Sequence, residues 1–177
     1  MKFFATVAAS LLVCAQIGLA APTAAVDLAT RAPKNLTLIA WFEAAMRSNY
    51  DVSLSDAQYD KAFEATWGQN VTLQANGRTG LTRPSLKAAI AGSKANATKI
   101  ELVFRDVIAF QPTPGDESTG IVAGTLITIS SHGSAPKTAT QTIFINGVAP
   151  DSSVTTADKR RIVTDDTVTV AIASGRK

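Results

Sequence analysis

The chain has 177 residues, with 17 basic and 14 acidic side chains for a formal charge of +3, and a single cysteine. The basic residues are spread along the sequence, which excludes the concentrated footprint that nucleic acid requires. One cysteine, Cys14, and one histidine, His132, exclude a disulfide framework and cysteine- or histidine-rich metal sites, and the carboxylates are not clustered, so neither a metal nor a cofactor is expected.

The first residues, MKFFATVAASLLVCAQIGLAAP, carry one Lys, an apolar run and then small residues with Pro22, the layout of a secretory signal peptide. The expected division is a leader over 1–21, cut after Ala20 or Ala21, a flexible arm over 22–36, one α+β domain over 37–174 and a tail over 175–177. Cys14 would leave with the leader, and no later stretch approaches the ~20 apolar residues of a membrane span. The reading is of a secreted, extracellular glycoprotein, with Asn-X-Ser/Thr sequons at Asn35, Asn70 and Asn96.

The segment LTLIAWFEAAMRSN reads as a helix with Ile39, Phe42 and Met46 on one face and Leu38, Trp41 and Ala45 beside them. A second helix opens on a capping-box pattern, Ser55 with Gln58, with Leu54 and Tyr59 placed as a hydrophobic staple. Tyr59, Phe63 and Trp67 repeat every four residues, and Gly68 is expected to stop the helix. Val71, Leu73 and Ala75 then alternate as a strand, Asn76-Gly77 turns, and a third helix begins around Thr82 to Pro84 and runs to Gly92. From Lys99 onward the period is two, with strands expected at roughly 99–111, 120–131, 137–146 and 159–173. Helices first and neighbouring strands after them indicate an α+β domain with an antiparallel sheet and helices on one face.

In this order, the aromatic helix YDKAFEATW, the strand NVTLQANG, the helix LTRPSLKAAI and the long strand KIELVFRDVIAF resemble the nuclear transport factor 2-like superfamily, which includes polyketide-cyclase (SnoaL-like) proteins and is also described as cystatin-like. The resemblance covers about Leu38 to Ala173. It implies a cone: N-terminal helices packed in the concave face of a curved, mainly antiparallel sheet, around an apolar cavity open at one end. It also implies a homodimer through the outer sheet face in many members. It implies no single activity, since the superfamily holds isomerases, dehydratases, epoxide hydrolases, cyclases and pure binding modules.

Enzymes of this fold place a few polar groups among the apolar side chains of the cavity. Strict alternation puts Asp106 on the face of Ile100, Leu102, Phe104, Ile108 and Phe110, which makes it the leading catalytic candidate, with Tyr59 or Tyr50 as hydrogen-bond donor. The competing reading is a bulge that turns Asp106 outward, or a surface pair with Arg105. Asp166 shares the parity of Ile162, Val168, Val170 and Ile172, although a hairpin at Asp165-Asp166 is the favoured reading there. His132 falls in a turn and reads as a loop residue. Trp41, Tyr59, Phe63, Trp67 and Phe104 are the ligand-pocket candidates, with ordinary core packing as the competing reading. GRTG at 77–80 is too short for a phosphate loop.

Three functions fit these residues. The first is a secreted, non-catalytic module that binds a small apolar molecule or a protein partner. The second is a lyase, isomerase or cyclase using Asp106. The third is a secreted effector that uses the fold as a scaffold for surface contacts.

Overall fold

A computed structural model describes residues 36–172. The expected leader, nearly all of the arm, the sequon at Asn35 and the tail lie outside the described residues. Helix α1 spans Leu38–Asn49, α2 Asp56–Thr66 and α3 Arg83–Lys94; the strands are β1 (Trp67–Ala75), β2 (Arg78–Leu81), β3 (Lys99–Phe110), β4 (Gly120–Ser131), β5 (Thr138–Pro150) and β6 (Arg160–Ile172). The strands form one curved, open six-stranded sheet in the order β2-β1-β6-β5-β4-β3, antiparallel except for β1 beside β6.

Local signals set the helix ends. Thr37 accepts from the Ala40 N–H at the start of α1, and the Gln58 side chain accepts from the Ser55 N–H to complete the box at α2. At α3, Thr82 and Ser85 exchange side-chain and backbone bonds ahead of Pro84 in the first turn. The helix does not stop at Gly92 but continues to Lys94.

Trp67 is where reading and structure part. The helical stripe predicts Trp67 as the last turn of α2, yet it opens β1 and pairs with Ile162 of β6. Gly68 does not stop a helix; it lets two strands approach, since a Cβ there would meet the Ile162 carbonyl oxygen at 3.3 Å. β2 is a further addition. Asn76 and Gly77 both have positive φ, 52° and 74°, the geometry of a tight hairpin turn, and Arg78–Leu81 pairs back on β1. All four residues of β2 are exposed, so it carries no alternating pattern for the sequence to show.

The core lies between the helices and the inner face of the sheet. Phe42 stacks on Phe144 with ring centroids 4.9 Å apart and meets Phe104 edge-on at 6.3 Å. Leu38, Trp41, Phe63, Trp67, Val122, Val148 and Ile162 complete it and are all buried.

Two β-bulges decide which side chains share that core. Between Arg105 and Ile108 the β3–β4 register slips, and Asp106 takes a left-handed φ of 53°. Val107 then packs inward on Gly124, while Asp106 and Ile108 are exposed. The second slip lies between β5 and β6, where Gly147 pairs with Thr164 but Val148 pairs with Ile162, leaving Val163 as the extra residue. Asp165 is thereby carried inward. β6 continues unbroken through Asp165 and Asp166, in place of the expected hairpin.

The outer face carries an apolar surface. Ile108, Phe110, Ile121, Ile143, Ile145, Val168 and Val170 are each between 45% and 67% exposed. Such a contiguous apolar surface marks an interaction site.

Candidate functional site

Cross-strand register places Leu73, Asp165, Asn146 and Val122 side by side on β1, β6, β5 and β4. All four are buried, with Asp165 9% exposed. A carboxyl group on an apolar sheet face must be satisfied to be tolerated. The Asn146 side chain does this: with its nitrogen toward the acid, the orientation that satisfies both ends of the amide, it donates to Asp165 Oδ1 at 2.6 Å and to the Thr164 carbonyl at 3.3 Å.

Burial, and then the charge of the adjacent Asp166, push the Asp165 carboxyl up to about 7. Burial also pushes the Tyr50 hydroxyl up to about 12, and the nearby charge of Asp165 adds to the shift. Tyr59 is likewise raised to about 12 by burial, then by Tyr50 and Asp60. Its hydroxyl donates to the Lys87 carbonyl at 2.9 Å. Near neutral pH the site therefore holds a carboxyl that can gain or lose a proton, a fixed amide donor and a phenol that stays protonated.

The residues that the sequence singles out fall elsewhere. Asp106 stands exposed in the bulge, not among Leu102, Phe104 and Ile108, because the extra residue resets the alternation. Asp166 faces outward for the matching reason on β6. Trp41, Tyr59, Phe63 and Trp67 are buried at 3%, 7%, 0% and 2% exposure, packed as core rather than lining an opening. Phe104 is partly buried beneath the Arg47 guanidinium, 5.0 Å from the ring centroid. His132 follows β4, its Nδ1 3.1 Å from the Asn96 carbonyl. Asn70 and Asn96 are exposed.

A second polar cluster serves the fold. An open cleft of about 580 Å³ between the β3–β4 and β5–β6 loops includes Glu117, Asp158 and Arg160. Arg160 binds both Asp158 oxygens and the Leu36 and Glu117 carbonyls, with its guanidinium 5.3 Å from the Trp41 ring centroid. The Glu117 carboxylate accepts from the Leu38 N–H, the start of α1, where a negative charge suits the helix end. The charges of this cleft are thus spent on holding α1 to the sheet. Among the described residues no group of acids and histidine could hold a metal ion.

Comparison with solved structures gives three informative neighbours. A candidate scytalone dehydratase from Novosphingobium aromaticivorans aligns at TM-score 0.54 and 11% identity, over 76% of this chain and 86% of its own. A candidate aromatic ring hydroxylase from the same organism aligns at 0.54 and 10%, over 76% and 91%. A protein of unknown function with a cystatin-like fold from Nostoc punctiforme aligns at 0.51 and 11%, over 77% and 90%. The chain has the nuclear transport factor 2-like fold. No family model and no curated protein matches the sequence. At these identities the likeness is one of fold, and this nuclear transport factor 2-like chain shares its architecture with proteins of differing assignment, so function rests on its own side chains.

Proposed function

We propose that the protein is a secreted domain that binds a small molecule on the inner sheet face and moves a proton on it, with Asp165 as the general acid or base. The observation that carries this reading is the buried Asp165 carboxyl, held by Asn146 and titrating at about 7. A scaffold has no use for such a group, whose ionised form burial penalises, whereas acid–base chemistry at neutral pH needs that poise. Tyr50 supplies a hydroxyl donor toward the same region. The reaction class is proton abstraction with isomerisation or elimination, in which no electrons leave the substrate. Asp106 has no part in it.

The test compares small molecules released from natively secreted protein and from its Asp165→Asn variant, by mass spectrometry. The expected result is a compound retained by the variant and absent from, or rearranged in, the wild type. Identical content in the two would remove the catalytic reading. Export itself is tested by N-terminal sequencing of the secreted chain, expected to begin at Ala21 or Pro22.

A second reading concerns the partner. The exposed apolar outer face favours self-association through the sheet, because seven large side chains there are at least 45% exposed on one surface.

A further inference from the structure

On the outer face, Arg105, Thr125, Ile143 and Val168 lie side by side across β3, β4, β5 and β6, and Ile108, Ala123, Ile145 and Asp166 form the next row. Arg105 and Asp166 therefore flank the apolar surface on opposite sides, three strands apart in the sheet order and about 14 Å apart across it at ordinary strand spacing. Both are exposed, and among the described residues neither has an ion-pair partner. Lys99 and Glu101, the other charges these strands carry outward, pair with each other at 2.7 Å. Asp106 stands beside Arg105 in the bulge without forming an ion pair to it.

Two unpaired, opposite charges on opposite flanks of an apolar face are self-complementary. A two-fold axis lying between stacked sheets and running roughly along the strands sets the β3 side of one copy over the β6 side of the other. Stacked sheets keep their strands within about 30° of each other, and the long Arg side chain spans the offset of one row. An axis running across the strands would instead set β3 over β3 and oppose like charges.

Resting on the self-association reading above, we propose that a second copy docks on the outer face with Arg105 of each chain paired to Asp166 of the other. The apolar rows supply affinity, and the two symmetric charge pairs fix the orientation.

Sedimentation of the wild type, Arg105→Glu, Asp166→Arg and the double charge swap tests this. The wild type is expected to be a dimer. Each single variant should weaken the dimer Kd about tenfold or more, and the swap should restore it to within about threefold. A wild-type dimer indifferent to all three substitutions overturns the charge pairing and leaves self-association standing; a monomeric wild type overturns both.

Because Asp166→Arg alters a neighbour of buried Asp165, a further variant keeps the test independent of its folding. In Arg105→Cys with Asp166→Cys, the two thiols of one chain are too far apart to bridge. Oxidation is therefore expected to give a covalent dimer, and a covalently monomeric product contradicts the proposed register.

Discussion

The Asn146 side chain donates to the Asp165 carboxylate at 2.6 Å, and the two residues face each other across β5 and β6 only because Val163 is looped out of register. That pairing places an ionisable group where its charged form is costly, and stability should report it. The folded carboxyl keeps its proton up to about pH 7, while in the unfolded chain, at the ordinary value of 3.8, it is released earlier. The contribution to stability is thus fully present below about pH 4, falls as pH rises toward 7 and is flat above. The loss across that window is on the order of 4 kcal/mol. Asp165→Asn should abolish it. Denaturant titrations from pH 4 to 8 are expected to show the variant level with the wild type at pH 4 and more stable at pH 8; parallel profiles would contradict the burial of the charge.

Replacing Asn146 by Leu removes the donor and leaves the acid unsatisfied. We expect a loss of about 1 to 3 kcal/mol, larger at pH 8 than at pH 5, because the ionised carboxylate needs the amide most. Equal losses at the two pH values would show that Asn146 acts only by packing.

The two bulges explain what the sequence can and cannot show. Helix starts at Thr37, Ser55 and Thr82, the Asn76-Gly77 turn and the four long strands are legible, because capping residues, turn residues and period-two patterns act locally. Bulges leave no such mark. Alternation read straight through β3 points Asp106 inward, and read straight through β6 it points Asp166 inward; one inserted residue in each strand reverses the assignment. Asp165, the acid that does face the core, is visible in the sequence only as half of a turn-like Asp-Asp pair. The residue most informative about the site, Asn146, looks like the end of a strand that in fact runs on to Pro150.

Helical spacing predicts a buried Trp67, and it is buried for a different reason, as the first residue of β1. Trp67→Ala should cost about 3 to 5 kcal/mol, the range for a large buried aromatic. Chemical denaturation measures it, and a loss under about 1 kcal/mol would place the side chain at the surface.

Arg160→Ala breaks the latch of Asp158, Leu36 and Glu117 around the start of α1. Removing one partner of a buried ion pair is expected to cost about 3 to 5 kcal/mol. Hydrogen exchange should show the first turn of α1 opening more readily in the variant, while the β5–β6 amides, the longest ladder of the sheet, are less affected.

The exposed sequons at Asn70 and Asn96 are expected to carry glycan on at least one side chain in protein exported by a eukaryotic cell. Intact mass before and after enzymatic deglycosylation checks this, and an unchanged mass on a chain retaining Met1 would contradict both export and glycosylation.

The chemistry proposed for the inner face turns on Asp165, and a carboxyl-carbon NMR titration of that residue tests it most directly. With selectively labelled aspartate, assigned by the signal lost in Asp165→Asn, the expected midpoint is near pH 7, set by burial beside Asn146 and Asp166. A midpoint near pH 4, about the value of a solvated aspartate, would contradict the inward placement of the carboxyl and the acid–base function drawn from it.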